Sequence, residues 1–338
     1  MDLVVLAIAC AAGFVATWLA RKLALRYNVV NHPNPIVPDH KSAIPYLGGV
    51  GILCATYFSM LVYRLVMGNG ALLDAHRGAF RPSMMAGGLL FLAVGLLDDL
   101  RTFRPGFKTI LHLLALGIAM SFGGLTRTVS GNVIFDTFFS GLWILAMVNA
   151  FNFMDVCDGL AGSVAVVTFG LFAMTSTSSY PVLAIALAGS CLGFVYWNRP
   201  PAKIFMGDAG SNFLGFMLGA FTLTETSGTT WWPYIAMMTL FAGVPFFDLL
   251  FQSGVRIAQG RSVLLGGPDS FALRMQKAGL KKNQVDLIAV LVASGFWYSA
   301  WILPQLHPIG QIAVVILDNV FIVTAWRWLL RWEVRTDA

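Results

Sequence analysis

The stretch GLWILAMVNAFNFMDVCDGLAGS, Gly141 to Ser163, decides the fold. Its first eight residues suit the interior of a bilayer, whereas the next ten carry Asn149, Asn152, Asp155 and Asp158, in a chain with only 11% charged residues. An apolar run that ends in a polar cluster reads as a membrane helix delivering its polar groups to one face of the bilayer, because acids and amides at membrane depth are costly unless used.

The rest of the chain agrees. It is 57% hydrophobic, with 26 Phe and 10 Trp in 338 residues, and its mean hydropathy is +0.74. A soluble domain cannot bury that much apolar side chain. LVVLAIACAAGFVATWLA, Leu3 to Ala20, has the length of a span and no small-residue cleavage site after it, so it reads as a retained first helix, not a signal peptide. Apolar runs predict helices near 3–23, 46–66, 83–97, 107–124, 139–153, 161–177, 181–196, 209–224, 231–251, 286–304 and 308–328. The expected fold is therefore all-α: a polytopic membrane protein of about eleven transmembrane helices, one domain over 1–338, with a loop at about 252–286.

Charge orients it. Of the 22 Lys and Arg residues, Arg64, Arg77, Arg81 and Arg127 fall in even-numbered loops. The other 18 (22 minus these 4) fall in odd-numbered loops or the C-terminal tail. Cytoplasmic loops collect the positive charge, so the N-terminus is expected outside and the C-terminus in the cytoplasm. The pI near 9.3 then records topology and contact with anionic lipid, and no basic, aromatic-interleaved soluble segment points to nucleic acid. Cys10, Cys54, Cys157 and Cys191 lack paired spacing and read as small apolar residues.

With that orientation, Asp98, Asp99, Asp155, Asp158, Asp208, Asp248 and Asp269 all sit at or beyond cytoplasmic helix ends, while Asp2, Asp74, Asp136 and Glu225 scatter outside. Acids converging from several helices suit a cation site or an acid–base centre; the bland reading, in which each is solvated at a helix end, is strong for one acid and weaker for the set. Four segments carry the detail. In GLLDDLRTFRPGFK, Asp98 and Asp99 are adjacent and Lys108 is near enough in sequence to hold them ionised. If helix continues through Asn149, Asn152, Asp155 and Asp158, their spacing of three makes a polar stripe of hard oxygen ligands suited to Mg2+; the alternative is a stripe that bonds neighbouring helices. In NRPPAKIFMGDAGSNFLG, Asp208 can reach a metal while Gly210, Ser211 and a helix N-terminus, with Lys203 nearby, meet a phosphate; otherwise GDAGS is a helix cap. The loop RIAQGRSVLLGGPDSFALRMQKAGLKKNQ either covers a substrate or anchors the cytoplasmic face.

These residues resemble a family, the polyprenyl-phosphate N-acetylhexosamine-1-phosphate transferases, over most of the chain. GLLDDL with Pro105 and Lys108, NAFNFMDVCDGLAG, and PAKIFMGDAGSNFLG are similar to three family motifs in the right order, and His40, Pro45, Gly48 and Gly49 resemble the family's approach to its second helix. The resemblance implies an eleven-helix enzyme of the inner (cytoplasmic) membrane, its active site on the cytoplasmic face. It would transfer a sugar 1-phosphate from a UDP-N-acetylamino sugar to a polyprenyl (undecaprenyl) phosphate, release UMP and start a cell-envelope polysaccharide. It implies Mg2+, with Mn2+ as a substitute, on Asn152 and Asp208; Asp98, Asp99 and Lys108 at the lipid phosphate; and Asp155 and Asp158 beside the nucleotide. Asn149, Lys203, Gly210, Ser211, Arg261, Asp269 and Arg274 complete the expected substrate contacts, and a homodimer is an open assembly.

Two departures stand out. Val156 replaces a glycine of the family's Asp-Gly-x-Asp-Gly, and a β-branched residue resists positive φ. Ser270 and Leu273 stand where relatives carry loop histidines, so either recognition is rebuilt around Arg274 and Arg261, or the donor sugar differs, or activity is low. The transferase reading is set against a protein that binds or transports such sugars without turnover, and against a CDP-alcohol phosphatidyltransferase, which would want further paired aspartates after Ser163.

Overall fold

The computed structural model describes residues 2–31, 43–67, 82–175, 181–225, 231–263 and 267–334. His40, Asp74, Arg77 and Arg81, named above, and Lys41 and Arg335, two of the 18 charges counted there, lie outside them. Each of the eleven apolar runs folds as helix: α1 (Asp2–Arg26), α2 (Gly48–Met67), α3 (Pro82–Arg101), α4 (Pro105–Ser121), α5 (Val133–Met154), α6 (Leu160–Thr175), α7 (Pro181–Asn198) and α8 (Gly207–Glu225) come first. Proline opens α3, α4 and α7, a position where its missing N–H is no loss. Asn132 caps α5, accepting from the Ile134 and Phe135 N–H groups at 3.0 and 3.1 Å. A two-residue antiparallel pair, β1 (Val30–Asn31) with β2 (Ile44–Pro45), is a small addition to the all-α expectation.

The ninth run is where the structure departs. Instead of one helix over 231–251 there are two, α9 (Trp231–Phe241) and α10 (Gly243–Ala258), bent by 87°. Pro245 explains the break, since its ring cannot sit one turn beyond the Phe241 carbonyl within a continuous helix; a new helix begins, with Phe246 N–H donating to the Ala242 carbonyl at 2.9 Å. α10 runs on to Ala258, so the loop expected at 252–286 shrinks to 259–281 and contains a helix of its own, α11 (Phe271–Lys277). α12 (Lys282–Ile302) and α13 (Pro308–Leu329) close the chain.

Seven of these helices are long and apolar enough to cross a membrane, or eight if the bent pair is one span; α4 and α6 are apolar but shorter. The protein is thus an all-α, polytopic membrane protein. The apolar window of α13 has 0% of its residues buried, yet Val314, Val315, Ile322 and Trp326 pack partly against the core, and the Ser299 hydroxyl of α12 donates to Asp318 at 3.2 Å.

α8 lies at the centre, against α2, α3 and α5, and its residues from Ala209 to Leu223 are buried. Its first turn is clamped by close backbone approach. A Cβ at Gly95 of α3 would collide with the Asp208 carbonyl, and one at Gly49 of α2 with the backbone of Gly210. The chain before α2 completes the clamp: Phe205 N–H donates to the Pro45 carbonyl at 2.8 Å, Gly48 N–H to Phe205 at 3.0 Å, and Gly49 N–H to Met206 at 2.9 Å. Three segments distant in sequence, 45–49, α3 at Gly95 and 205–210, therefore meet here.

Candidate active site

At that meeting point Lys108, in the first turn of α4, places its ammonium between two carboxylates. It pairs with Asp98 Oδ2 at 2.8 Å and with Asp208 Oδ2. The other Asp208 oxygen accepts from the Asn152 amide at 2.8 Å, and the same amide donates to Ser211 Oγ at 3.0 Å. Asp208 is the open member, its side chain 32% exposed against 12% for Asp98. Asp98 is held from behind by the Phe103 N–H at 2.6 Å, reached through a turn in which Thr102 has φ +43. The structure thus brings together Asp98, Lys108, Asn152, Asp208 and Ser211 from α3, α4, α5 and α8.

Asp99 has a different position. Its oxygens accept from the Asp208 and Ala209 N–H groups at 2.9 and 3.0 Å, and its carbonyl accepts from the Tyr46 hydroxyl at 2.8 Å. The N-terminus of α8, expected to face a phosphate, is occupied by this carboxylate, which complements the helix dipole equally well. Gly207 makes the fit: its φ is +72, and a Cβ there would stand 2.7 Å from Asp99 Oδ2. Gly210 contributes its lack of a side chain, against Gly49.

The expected four-residue stripe ends early, because α5 stops at Met154 and Asp155 is its C-cap with ψ 57. Asp155 is half-buried, and burial, then the neighbouring Asp208 and Asp158 carboxylates, push its pKa up to about 7. Asp158 lies in the following turn, paired with Lys282 at 3.2 Å and accepting from the Ala202 N–H at 3.3 Å. The conformational demand in this turn falls on Gly159, whose φ is +83 and whose Cβ would sit 2.6 Å from Asp286 Oδ2. Val156 has no positive φ, so the glycine it replaces is not needed for strain relief. Lys282 and Asp286, on the first two turns of α12, were missed by the motif reading; their signal was only a spacing of four on one helix face.

The loop residues were expected at substrate and are built into the fold. Arg256 of α10, 2% exposed, donates to Asp269 at 3.1 Å and to Gln252 at 2.7 Å, and stacks over the Phe153 ring at 4.8 Å. Arg261 takes the other Asp269 oxygen at 2.6 Å. Arg274 is buried, donating to the Leu329 carbonyl at 3.2 Å over the Phe251 ring. Burial accordingly lowers its pKa. Ser270 caps α11 and donates to Asp248 at 3.1 Å, and Leu273 is buried. Asp269 and Arg274 are thus structural ties, whereas Arg261 is 42% exposed. Two further expectations are not gathered at the centre: Asn149 is exposed and donates to the Leu145 carbonyl, and Lys203 lies over the Trp197 ring at 5.6 Å.

The donor set suits Mg2+. Asp208 and Asn152 offer one carboxylate and one amide, and rotation of that amide presents its oxygen in place of its nitrogen. Among the described residues no group of three or more His, Cys, Asp or Glu stands together; Mg2+ in phosphate sites is commonly held by one or two protein oxygens with the rest from water and phosphates.

Residues 82–226 match the family described as glycosyl transferase family 4. The chain is 26% identical over 301 residues to a probable undecaprenyl-phosphate N-acetylglucosaminyl 1-phosphate transferase of Bacillus subtilis, covering 86% of this chain and 81% of that protein. It is 30% identical over 317 residues to a decaprenyl-phosphate N-acetylglucosaminephosphotransferase of Mycobacterium leprae, covering 82% and 77%. A phospho-N-acetylmuramoyl-pentapeptide-transferase of Picosynechococcus is 31% identical over 258 residues, covering 67% and 65%.

Proposed function

We propose, from the premise that the chain belongs to glycosyl transferase family 4, that it transfers the 1-phosphate of an N-acetylamino sugar from a UDP-linked donor to a polyprenyl phosphate and releases UMP. It is a phosphotransferase, and the relatives act on undecaprenyl or decaprenyl phosphate. The observation that carries the reading is the Lys108 ammonium between Asp98 and Asp208, with Asn152 on the other Asp208 oxygen.

An oxygen of the polyprenyl phosphate attacks the phosphorus attached to the sugar, one P–O bond forms, and the bond to UMP breaks. The acceptor is largely ionised at neutral pH, so alignment and charge neutralisation matter more than a strong base. Asp98 aims Lys108 at the acceptor and transferring phosphates. Asp208 and Asn152 would hold Mg2+, which when bound neutralises diphosphate charge. Asp155 and Asp158 line the nucleotide side. The charge asymmetry supports an N-terminus outside, a cytoplasmic C-terminus and a cytoplasmic active site in the inner membrane.

The test is a panel of UDP-N-acetylamino sugars with purified protein, reading UMP release. Release is expected with at least one donor, only with both polyprenyl phosphate and Mg2+ present, abolished by EDTA and restored by Mg2+ or Mn2+. D208N should lower turnover by about 10²- to 10³-fold. Binding of donors without UMP release from any of them would overturn the proposal in favour of a binding or transport protein.

A further inference from the structure

One helical turn below the Lys108–Asp208 contact lies a second polar contact to which the proposed chemistry gives no role. His112 follows Lys108 by four residues on α4, and Asn212 follows Asp208 by four on α8, so the two pairs repeat on the same faces of the same helices. The Asn212 amide nitrogen is 3.1 Å from His112 Nε2. Both side chains are buried, His112 4% and Asn212 0% exposed. The imidazole is stacked on Phe91 at 5.5 Å, and Phe91 in turn on Phe216 at 5.0 Å. Asn212 Oδ1 has no hydrogen-bond partner among the described residues, so its contact to His112 is the amide's one recorded tie and carries its orientation.

We propose that His112 and Asn212 form an uncharged polar layer that positions the Lys108 ammonium against Asp208, making His112 a positioning residue for phosphoryl transfer. The inference rests on the reading of Lys108 and Asp208 given above. Three features support it. With the amide nitrogen as donor, the orientation the structure shows, Nε2 accepts and a neutral ring carries its proton on Nδ1. A second cation one turn from Lys108 would compete with it for Asp98 and Asp208, and the neutral tautomer avoids that. Finally, an apolar pair would let α4 rotate or slide against α8, whereas one directional bond between rings and helices locked by stacking sets their register. Because α4 supplies Lys108 and α8 supplies Asp208, that register sets the separation of the two charges.

The experiment compares H112L, H112Q and N212L with the wild-type full chain in lipid nanodiscs, measuring kcat, KM for donor and lipid acceptor, and thermal midpoint. H112L and N212L are expected to lower kcat by about 10- to 100-fold with both KM values nearly unchanged. H112Q, which restores an acceptor for the Asn212 amide, should recover most of the rate. A kcat for H112L within about twofold of wild type overturns the proposal, and so does an equal loss in H112L and H112Q that tracks their thermal midpoints. A substrate-free arm separates this inference from the proposed function: a K108M/D208N double-mutant cycle of thermal unfolding, run in wild-type and H112L backgrounds. If the wild type transfers no sugar phosphate, the functional reading fails, and loss of the Lys108–Asp208 coupling in H112L still supports positioning; an unchanged coupling overturns it.

Discussion

Val156 and Gly159 divide the demands of one short turn unequally. Gly159 holds φ +83 with Asp286 Oδ2 2.6 Å from where a Cβ would stand, while Val156 has no positive φ. Gly159→Ala should therefore cost about 1–3 kcal/mol of stability, read as a lowered thermal midpoint. Val156→Gly should cost no more than about 1 kcal/mol and leave turnover within a factor of about two. Asp155, beside them, has a folded pKa raised to about 7 from an ordinary value of 3.8. A carboxylate raised in this way weakens the fold as pH climbs from about 4, where the unfolded chain ionises it, to about 7, where the folded protein does as well. In metal-free protein, Asp155→Asn should thus gain stability over wild type with rising pH, with the full gain above about pH 7; thermal melts in EDTA from pH 5 to 8 would show it, and a pH-independent difference would contradict it. This residue-level chemistry was only half legible in sequence. The motif named the acids, but the burial that raises Asp155 and the amides that take Asp99 come from helices far away in the chain.

At the scale of elements, α10 and α11 form one braced unit. The buried face of α10 repeats as Val244, Asp248, Phe251, Gln252, Val255 and Arg256, the spacing of a helix against a core. Its polar members tie α11 down: Asp248 accepts from the Phe271 N–H at 2.9 Å and from Ser270, and Arg256 holds Asp269. Gln252 also reaches the Phe153 carbonyl at 3.1 Å, next to Asn152. Removing Arg256 leaves the buried Asp269 carboxylate with Arg261 alone, so Arg256→Ala should cost about 1–3 kcal/mol. Arg261→Ala removes a partly exposed partner of the same Asp269 and should cost about 0–1 kcal/mol. Denaturant or thermal unfolding in detergent distinguishes the two. The sequence showed positive charge in this segment and suggested substrate contact. Burial reassigns most of it, because an arginine that satisfies a buried aspartate and a carbonyl has few donors left for a ligand.

For the whole molecule, the proposed topology makes a labelling prediction. A cysteine at Thr126, in the segment between α4 and α5, should react with a membrane-impermeant thiol reagent from outside. A cysteine at Ser262, after α10, should react only once the cytoplasmic side is opened. Reaction of both from the same side would contradict the orientation. The outer face of α13, with Ile316 and Leu317 exposed, is apolar in either case.

The amino-acid sequence by itself determined the class of fold, the existence of the helices and the identity of the acids, amides and lysine at the centre. Those follow from local composition: runs of apolar residues have nowhere to go but a bilayer, and polar residues at their ends mark one face. Only the tertiary structure decided which of those groups face each other. Pro245 split a span that hydropathy joined. Asp99 took the helix N-terminus expected for phosphate, and His112 met Asn212 one turn beneath Lys108 and Asp208. Each of these depends on the register of helices packed through close backbone contacts, at Gly95 against Asp208 and Gly49 against Gly210, and register is a property of paired surfaces that no single segment encodes.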